Sequence, residues 1–226
     1  MPTTISPVPS NELSEAIQDY LKEIYKLSAS GERATTSAIA KRLGVAPSSA
    51  TSMLKKLSAL GLAEHAPYRG AELTPAGEKI ALEVIRHHRL LEQYLAETLG
   101  LGIDAVHDEA DRLEHVLSEE LERRIDEALG FPTHDPHGHP IPTAELELDG
   151  STLRSLEALE PGEEAIVRRV PDGDAEVLRY LAELALLPGR RVRRGASEPF
   201  GGPVRVSVDD QEHAISRELA GQIGVA

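Results

Sequence analysis

A proline-rich segment near the middle of the chain places the strongest constraint on the fold. Residues 131–142 read FPTHDPHGHPIP and hold four prolines and one glycine, so they cannot form a regular helix or strand. Before this segment, apolar residues recur at three- and four-residue steps, which is the period of a helix. After residue 156, short apolar runs between turn signals favour strands. The sequence therefore predicts a helical part followed by a small β-rich module.

We predict five helices and one hairpin before the proline-rich segment. Glycine and proline mark where these elements begin and end. In chain order they are a helix from Ser10 to Gly31, a helix over 36–43, a helix over 47–61, a hairpin over 62–73, and helices over 74–99 and 104–129. Two short helices joined by a tight Gly-containing turn are typical of a helix-turn-helix motif, and the hairpin after them would form a wing.

Charge is distributed unequally along the chain. The whole sequence carries 24 basic and 38 acidic side chains, a formal charge of −14. Residues 1–75 hold eight basic and seven acidic side chains, whereas the remaining 151 residues hold 16 and 31. Nucleic acid favours a basic surface, so the acidic part argues against DNA contact. The first third remains a candidate DNA-facing unit.

The absence of cysteine and of long apolar stretches excludes several classes of protein. Because the chain has no Cys, disulfides, thiolate zinc sites, iron–sulfur clusters and Cys nucleophiles are excluded, and any metal must be bound by nitrogen and oxygen. The apolar stretches are far shorter than the ~18–20 residues of a bilayer span, and the N-terminus lacks a signal-peptide pattern. We therefore expect a cytoplasmic protein with no membrane partner.

The third predicted helix presents small hydroxyl side chains in its first turn, beside lysines. In a major groove such side chains reach base edges or the thymine methyl group, and nearby basic side chains contact phosphates. The candidate DNA contacts are Thr36, Lys41, Pro47, Ser48, Ser49, Ser52, Lys55, Lys56 and, in the wing, Arg69. The alternatives are an ordinary three-helix core with serine caps and a winged helix that binds protein.

Histidines and carboxylates recur at helical spacing in the two long helices. His88 and Glu92 are four residues apart and share a helix face. On the next predicted helix, steps of four, three and one place four side chains on one side, namely His107, Asp111, Glu114 and His115. Facing helices that each supply histidine and carboxylate ligands build metal sites in bundles, although a solvated acidic face is the alternative. The three histidines of the proline-rich segment, His134, His137 and His139, are interpreted as turn residues.

Together these motifs resemble one family of metal-dependent regulators. The resemblance is carried by DYLKEIYKL, IAKRLGVAPSSATSMLKKLSALGL, YRGAELTPAGEKIA, HHRLLEQYLAETLGL, VHDEADRLEHVLSEELERRI and PHGHPIP, which are similar to the family typified by the diphtheria toxin repressor and the manganese transport regulators. The tail, with LEALEPGEEAIV and PFGGPVRVSV, resembles the SH3-like (FeoA-type) module of its longer members. The family implies a mainly α protein with a winged helix-turn-helix domain at 1–74, a helical metal-binding and dimerisation domain at 75–142, a linker at 143–155 and an SH3-like domain at 156–226.

The resemblance also implies two metal sites. The family's primary site falls on Asp19, Asp111, Glu114 and His115. Its ancillary site falls on His88, Glu92 and His107, with Asp174 as a candidate ligand from the SH3-like module and Glu176 as a second possibility. The short manganese regulators have a two-metal cluster instead, and this chain departs from them because Lys22 stands where their cluster has a glutamate.

The ligand chemistry favours manganese. In iron-sensing relatives the positions of Asp19 and Asp111 resemble a Met and a Cys, whereas here both are carboxylates, and hard oxygen donors with imidazole suit Mn(II). Fe(II) is the next candidate. The resemblance implies a homodimer, not an enzyme, that a divalent ion activates to bind a palindromic double-stranded operator and control metal-homeostasis genes such as a manganese or iron transporter. A di-metal carboxylate enzyme and a winged-helix regulator of a non-metal effector are the alternatives.

Overall fold

A computed structural model describes residues 13–66 and 70–226. The chain divides into two compact units. The first unit extends to His88 and also contains Leu113–Glu119 and Pro142–Glu147, and the second unit contains Arg89–Arg112, Glu120–Ile141 and Leu148–Ala226. Among the described residues, no helix combines the length and apolar character needed to cross a bilayer.

The first unit has the predicted winged helix-turn-helix arrangement. Its elements are α1 (Glu15–Ala29), α2 (Thr36–Arg42), α3 (Pro47–Ala59), β1 (Ala63–Ala66), β2 (Gly70–Leu73) and the first part of α4 (Pro75–Glu97). The side chain of Thr35 caps α2 by accepting a hydrogen bond from the amide of Ala38, and Pro47 occupies the first turn of α3. β1 and β2 pair antiparallel, from Ala63 opposite Leu73 to Ala66 opposite Gly70. The predicted wing residue Arg69 lies outside the described residues.

The core of the first unit fixes the orientation of α3. Leu21 and Ile24 of α1, Ile39 of α2 and Leu54 and Leu57 of α3 are fully buried in one apolar cluster. Burying a side chain of this size contributes about 1.5–3 kcal/mol, so these contacts hold the three helices together. The opposite face of α3 is left exposed to solvent.

The predicted single helix over 104–129 is wrong, because the structure contains two shorter helices there. α5 (Val106–Leu113) ends before Glu114, and α6 (Glu119–Ala128) begins after Ser118. Serine followed by Glu119 and Glu120 is a favourable helix start, since acidic side chains interact well with the amide end of a helix. Glu114 and His115 therefore lie on the turn between the helices rather than on a helix face.

The β-rich module is confirmed as a six-stranded antiparallel sheet in the second unit. The strands have the order β3-β8-β4-β5-β6-β7 and a buried core that includes Val167, Leu178 and Val206. The elements are β3 (Arg154–Ser155), β4 (Glu164–Arg169), α7 (Ala175–Glu183), β5 (Arg191–Ser197), β6 (Val204–Val208), β7 (Gln211–Ile215), α8 (Arg217–Gln222) and β8 (Gly224–Val225). The sequence pattern did not reveal β3, β8 or α8, since a two-residue strand has no detectable period.

The proline-rich segment is irregular, as predicted, and it packs closely against β4. The amide of Val170 donates a hydrogen bond to the carbonyl of His137 over 2.9 Å. Gly138 has a φ of +86°, and a Cβ at this position would lie 1.8 Å from the carbonyl oxygen of Arg168. Only glycine fits such a contact, so Gly138 sets the position of the histidines beside it.

Candidate metal centres and nucleic-acid interface

The exposed face of α3 carries the side chains predicted to contact DNA. Pro47, Ser48, Ser49, Ser52, Lys55 and Lys56 are exposed on α3, Lys41 is exposed on α2, and Thr36 is half-buried at the start of α2. Ser48, Ser49, Ser52, Met53 and Lys56 line a shallow surface depression. Hydroxyl groups on a solvent-facing helix can hydrogen-bond to base edges, and ammonium groups beside them can contact phosphates.

The first metal-ligand cluster consists of Asp19, Glu114 and His115. Asp19 lies on α1, and the other two residues lie on the turn after α5. Nε2 of His115 lies 3.1 Å from Oδ1 of Asp19 and 3.3 Å from Oε1 of Glu114. One possible ligand atom from each residue lies within 4.8 Å of the others. These three members of the predicted primary site are therefore brought together.

Neighbouring side chains orient the first cluster. Nδ1 of His115 donates a hydrogen bond to Oε1 of Gln18 over 2.7 Å, which leaves Nε2 as the nitrogen that faces the carboxylates. Oε2 of Glu114 accepts a hydrogen bond from Nδ1 of His88 over 2.6 Å, and Oε1 contacts Nζ of Lys22 at 2.5 Å. Burial opposes a positive charge on His115, but Asp19 and Glu114 outweigh that effect and raise the pKa of His115.

The second candidate metal-ligand cluster joins Glu92 and His107 to Asp135, His137 and His139, all of the second unit. Nδ1 of His107 donates to Oε1 of Glu92 over 3.0 Å, and Nδ1 of His137 lies 3.5 Å from Oε2 of Glu92. Glu92 and His107 were predicted as ancillary ligands. His137 and His139 were interpreted only as turn residues, yet one ligand atom of each and one of Asp135 lie within 4.8 Å of one another.

The buried polar atoms of the second cluster fit a set of metal ligands. Oδ2 of Asp135, Nδ1 of His137 and Nδ1 of His139 are buried and have no hydrogen-bond partner among the described residues. Burying a polar atom without a partner costs about 1–3 kcal/mol, so three such atoms in one place need an explanation. Nitrogen and oxygen donors in this arrangement suit a divalent ion, and the residues present fit one.

The charge state of His137 shows how the metal-free cluster is balanced. Burial disfavours the imidazolium form, but the carboxylates of Glu92 and Asp135 oppose this effect and raise the pKa of His137 to about 9. Nε2 of His137 donates a hydrogen bond to the carbonyl of Ile103 over 2.9 Å, so Nδ1 is the nitrogen that faces Glu92. Without a metal, a proton on His137 supplies the positive charge at these carboxylates.

Three further predicted ligands make other contacts in the structure. His88, predicted for the ancillary site, contacts Glu114 of the first cluster. Asp111, predicted for the primary site, is about half exposed, with Oδ2 3.7 Å from Nε2 of His107. Asp174 caps α7 by accepting hydrogen bonds from the amides of Glu176 and Val177. Their roles as metal ligands stay predictions.

The missed residues carried a weak signal in the sequence. Asp135, His137 and His139 alternate along the segment, a spacing that can direct several side chains to one side of an extended chain. The prolines around them indicated irregular structure, and spacing alone cannot show where an irregular segment lies. The close packing of Gly138 against β4 and the hydrogen bond from Val170 to His137 hold the segment in place.

Family models match almost the whole chain in three segments. Residues 12–71 match the iron dependent repressor N-terminal DNA binding domain, residues 74–143 match the iron dependent repressor metal binding and dimerisation domain, and residues 154–226 match the FeoA domain.

Individual proteins are similar over the same length. The iron-dependent repressor IdeR of Mycobacterium tuberculosis is 33% identical over 227 residues, which cover 95% of this chain and 98% of IdeR. A solved manganese-dependent transcriptional repressor in complex with manganese is 38% identical, has a TM-score of 0.87, and matches 93% of this chain and 99% of its own. The manganese regulator SloR is 29% identical, with a TM-score of 0.79 over 93% of this chain and 97% of its own. The chain therefore belongs to the family of iron-dependent repressors, with a DNA-binding domain, a metal-binding and dimerisation domain and a FeoA domain.

Proposed function

We propose that this protein is a metal-dependent transcriptional repressor, a homodimer that a divalent ion activates to bind a palindromic operator and control metal-homeostasis genes. The first cluster carries the proposal. Asp19 lies on the helix whose buried face packs against α2 and α3, whereas Glu114 and His115 belong to the sequence segment matched by the metal-binding and dimerisation domain. An ion held by these three ligands would thus link α1 of the DNA-binding domain to the segment matched by the metal-binding and dimerisation domain.

The chain's own side chains prepare the first cluster for a metal ion. Asp19, Glu114 and His115 would hold the ion, and Gln18 keeps Nε2 of His115 directed at the carboxylates. A bound ion would supply the positive charge that holds α1 to the turn at 114–116. Asp111 is proposed as a further ligand on the resemblance alone.

The second cluster is proposed as a second metal site. Glu92, His107, Asp135, His137 and His139 offer only nitrogen and oxygen donors, and one buried atom each of Asp135, His137 and His139 lacks a hydrogen-bond partner in the described structure. Asp172 adds a carboxylate, with Oδ2 3.7 Å from Nδ1 of His139. Loss of a ligand here should reduce metal stoichiometry without removing the first site.

Manganese is proposed as the activating metal, with Fe(II) next. Both carboxylates and imidazoles are present in each cluster, and thiolate ligands are excluded because the chain has no Cys. Solved relatives include a manganese-dependent repressor bound to manganese, whereas IdeR is named as iron-dependent. The proposal therefore follows the ligand chemistry, since the relatives include both kinds.

Operator binding is proposed to use α3 from both subunits of a dimer. Two recognition helices set about 34 Å apart enter successive major grooves of a palindromic site. Leu113 and Val116 are 40% and 70% exposed, and they supply apolar surface for subunit pairing. Coupling between metal and DNA of about 1–3 kcal/mol would change operator affinity roughly 5–150-fold.

The test is metal-dependent DNA binding by the full chain. Duplexes selected from a random-sequence pool with the Mn(II)-loaded protein serve as the operator, and binding is followed by fluorescence anisotropy with Mn(II) and then with a chelator. We expect binding that the chelator reverses. His115→Ala should abolish the metal dependence while circular dichroism and size-exclusion chromatography show a folded dimer, and His213→Ala on β7 serves as the control. DNA binding that is equal with and without metal would contradict the proposal.

A further inference from the structure

Lys22 is a buried cation inside the first cluster. Its residue surface is only 5% exposed, and its Nζ lies 2.5 Å from Oε1 of Glu114. Glu114 is itself 1% exposed. The two side chains come from positions 92 residues apart in the sequence, so their contact is a feature of the folded first unit rather than of local helix geometry.

Lys22 compensates the charge of a carboxylate that is costly to bury. Taking a carboxylate out of water is expensive unless a positive group or several hydrogen bonds compensate it. Lys22 supplies a positive charge to Glu114 at Oε1, and His88 donates a hydrogen bond at Oε2. The buried carboxylate is therefore compensated in the metal-free protein.

The same oxygen of Glu114 belongs to the ligand set of the cluster. Oε1 lies 3.3 Å from Nε2 of His115, which in turn faces Asp19. An ion held by Asp19, Glu114 and His115 and the ammonium group of Lys22 would thus share one small buried region. Two positive charges at close range in a buried site repel each other much more strongly than they would in water.

We propose that Lys22 is an internal competitor of the metal ion that sets the affinity of the first cluster. Its ammonium group compensates Glu114 when no metal is present and must give up Oε1 of Glu114 when an ion binds. The metal-free protein gains stability, and the metal affinity is weakened in return. This inference rests on the proposed function, since it assumes that Asp19, Glu114 and His115 bind the activating metal.

The experiment compares Lys22→Met and Lys22→Gln with the wild type in two measurements. Mn(II) affinity is measured by competition with a fluorescent chelator, and thermal unfolding is measured with and without Mn(II). Methionine has a similar length to lysine without the charge, and the amide of glutamine can still donate a hydrogen bond to Glu114. Lys26→Met is the matched control, because Lys26 lies one turn further along α1 in a more exposed pair with Glu23.

A competitor and a merely structural ion pair give opposite results. As a competitor, loss of Lys22 should lower the melting temperature of the metal-free protein, tighten Mn(II) binding about tenfold and enlarge the increase in melting temperature caused by Mn(II). Lys26→Met should leave all three unchanged. Unchanged or weaker Mn(II) affinity in a folded Lys22 variant would overturn the inference.

The design separates this inference from the proposed function. If Lys22→Met does not fold without metal, Lys22→Gln provides the same comparison, because it retains a hydrogen-bond donor. Failure of the proposed function would appear differently, as a wild type whose Mn(II) binding is unaffected by His115→Ala. Mn(II) binding that requires His115 but is insensitive to Lys22 would contradict the role of Lys22 alone.

Discussion

Raising the pH should destabilise the metal-free protein through one buried histidine. The pKa of His137 is about 9 in the folded chain, against roughly 6.5 for an unperturbed histidine. Because the folded pKa is the higher one, the stabilisation is complete below about pH 6.5 and is lost as the pH rises through about 9. A pKa shift of this size contributes about 3 kcal/mol to the free energy of unfolding.

The contacts of His137 explain both the sign and the size of the effect. Its side chain is fully buried, which alone would lower the pKa. The carboxylates of Glu92 and Asp135 more than offset that cost, with Nδ1 of His137 3.5 Å from Oε2 of Glu92. Deprotonation would remove the positive charge that faces these two carboxylates.

Urea unfolding of the chelator-treated protein between pH 6 and 9.5 measures the effect. His137→Gln is the matched variant, since its amide can still donate to the carbonyl of Ile103 but cannot change charge. The free energy of unfolding of the wild type should fall by about 3 kcal/mol more than that of the variant across this range. Parallel pH profiles for the two proteins would refute the assignment of a raised pKa to His137.

Two further predictions concern the segment that positions the second cluster and the metal preference of the first. Gly138→Ala should destabilise the protein by about 2 kcal/mol or more in urea unfolding, because its Cβ would meet the carbonyl of Arg168 at a positive φ. Gly173→Ala is the control and should not destabilise the protein, because a Cβ there has open space. Equal stabilities of the two variants would show that the segment shifts freely. Asp111→Cys should improve the DNA-binding response to Fe(II), Co(II) or Zn(II) at the expense of the response to Mn(II), as measured by fluorescence anisotropy with each metal. An unchanged metal preference would show that Asp111 does not set the selectivity.

Elements with a clear period and strong end signals were predictable from the sequence. A glycine follows shortly after the end of α2 and of α3, Pro47 starts α3, and the buried positions Leu54 and Leu57 follow the helical step. The break between α5 and α6 was not predictable in this way. His107, Asp111, Glu114 and His115 continue a helical spacing across it, and the start signal at Ser118 competes with that pattern only weakly.

The candidate metal ligands also differ in how well the sequence predicted them. Glu114 and His115 were named from their spacing, the resemblance added Asp19, and the structure places the three together. His137 and His139 belong to an irregular segment that is positioned by long-range contacts, among them the close packing of Gly138 and the hydrogen bond from Val170 to the carbonyl of His137. Periodicity describes regular elements only, so it carries no information about which distant carboxylate such a segment will meet.

Both clusters solve the same electrostatic problem with different groups. Glu114 in the first cluster and Glu92 and Asp135 in the second are nearly or fully buried, and a buried carboxylate is costly without a positive partner. Lys22 contacts Glu114, and the protonated imidazole of His137 faces Glu92. Under the proposed function, metal binding would be an exchange of one positive charge for another rather than the filling of an empty anionic site. Such an exchange would help to keep the metal-free chain folded, and it would weaken the metal affinity below what the donor atoms alone would give, which suits a regulator that must release its metal when the supply falls.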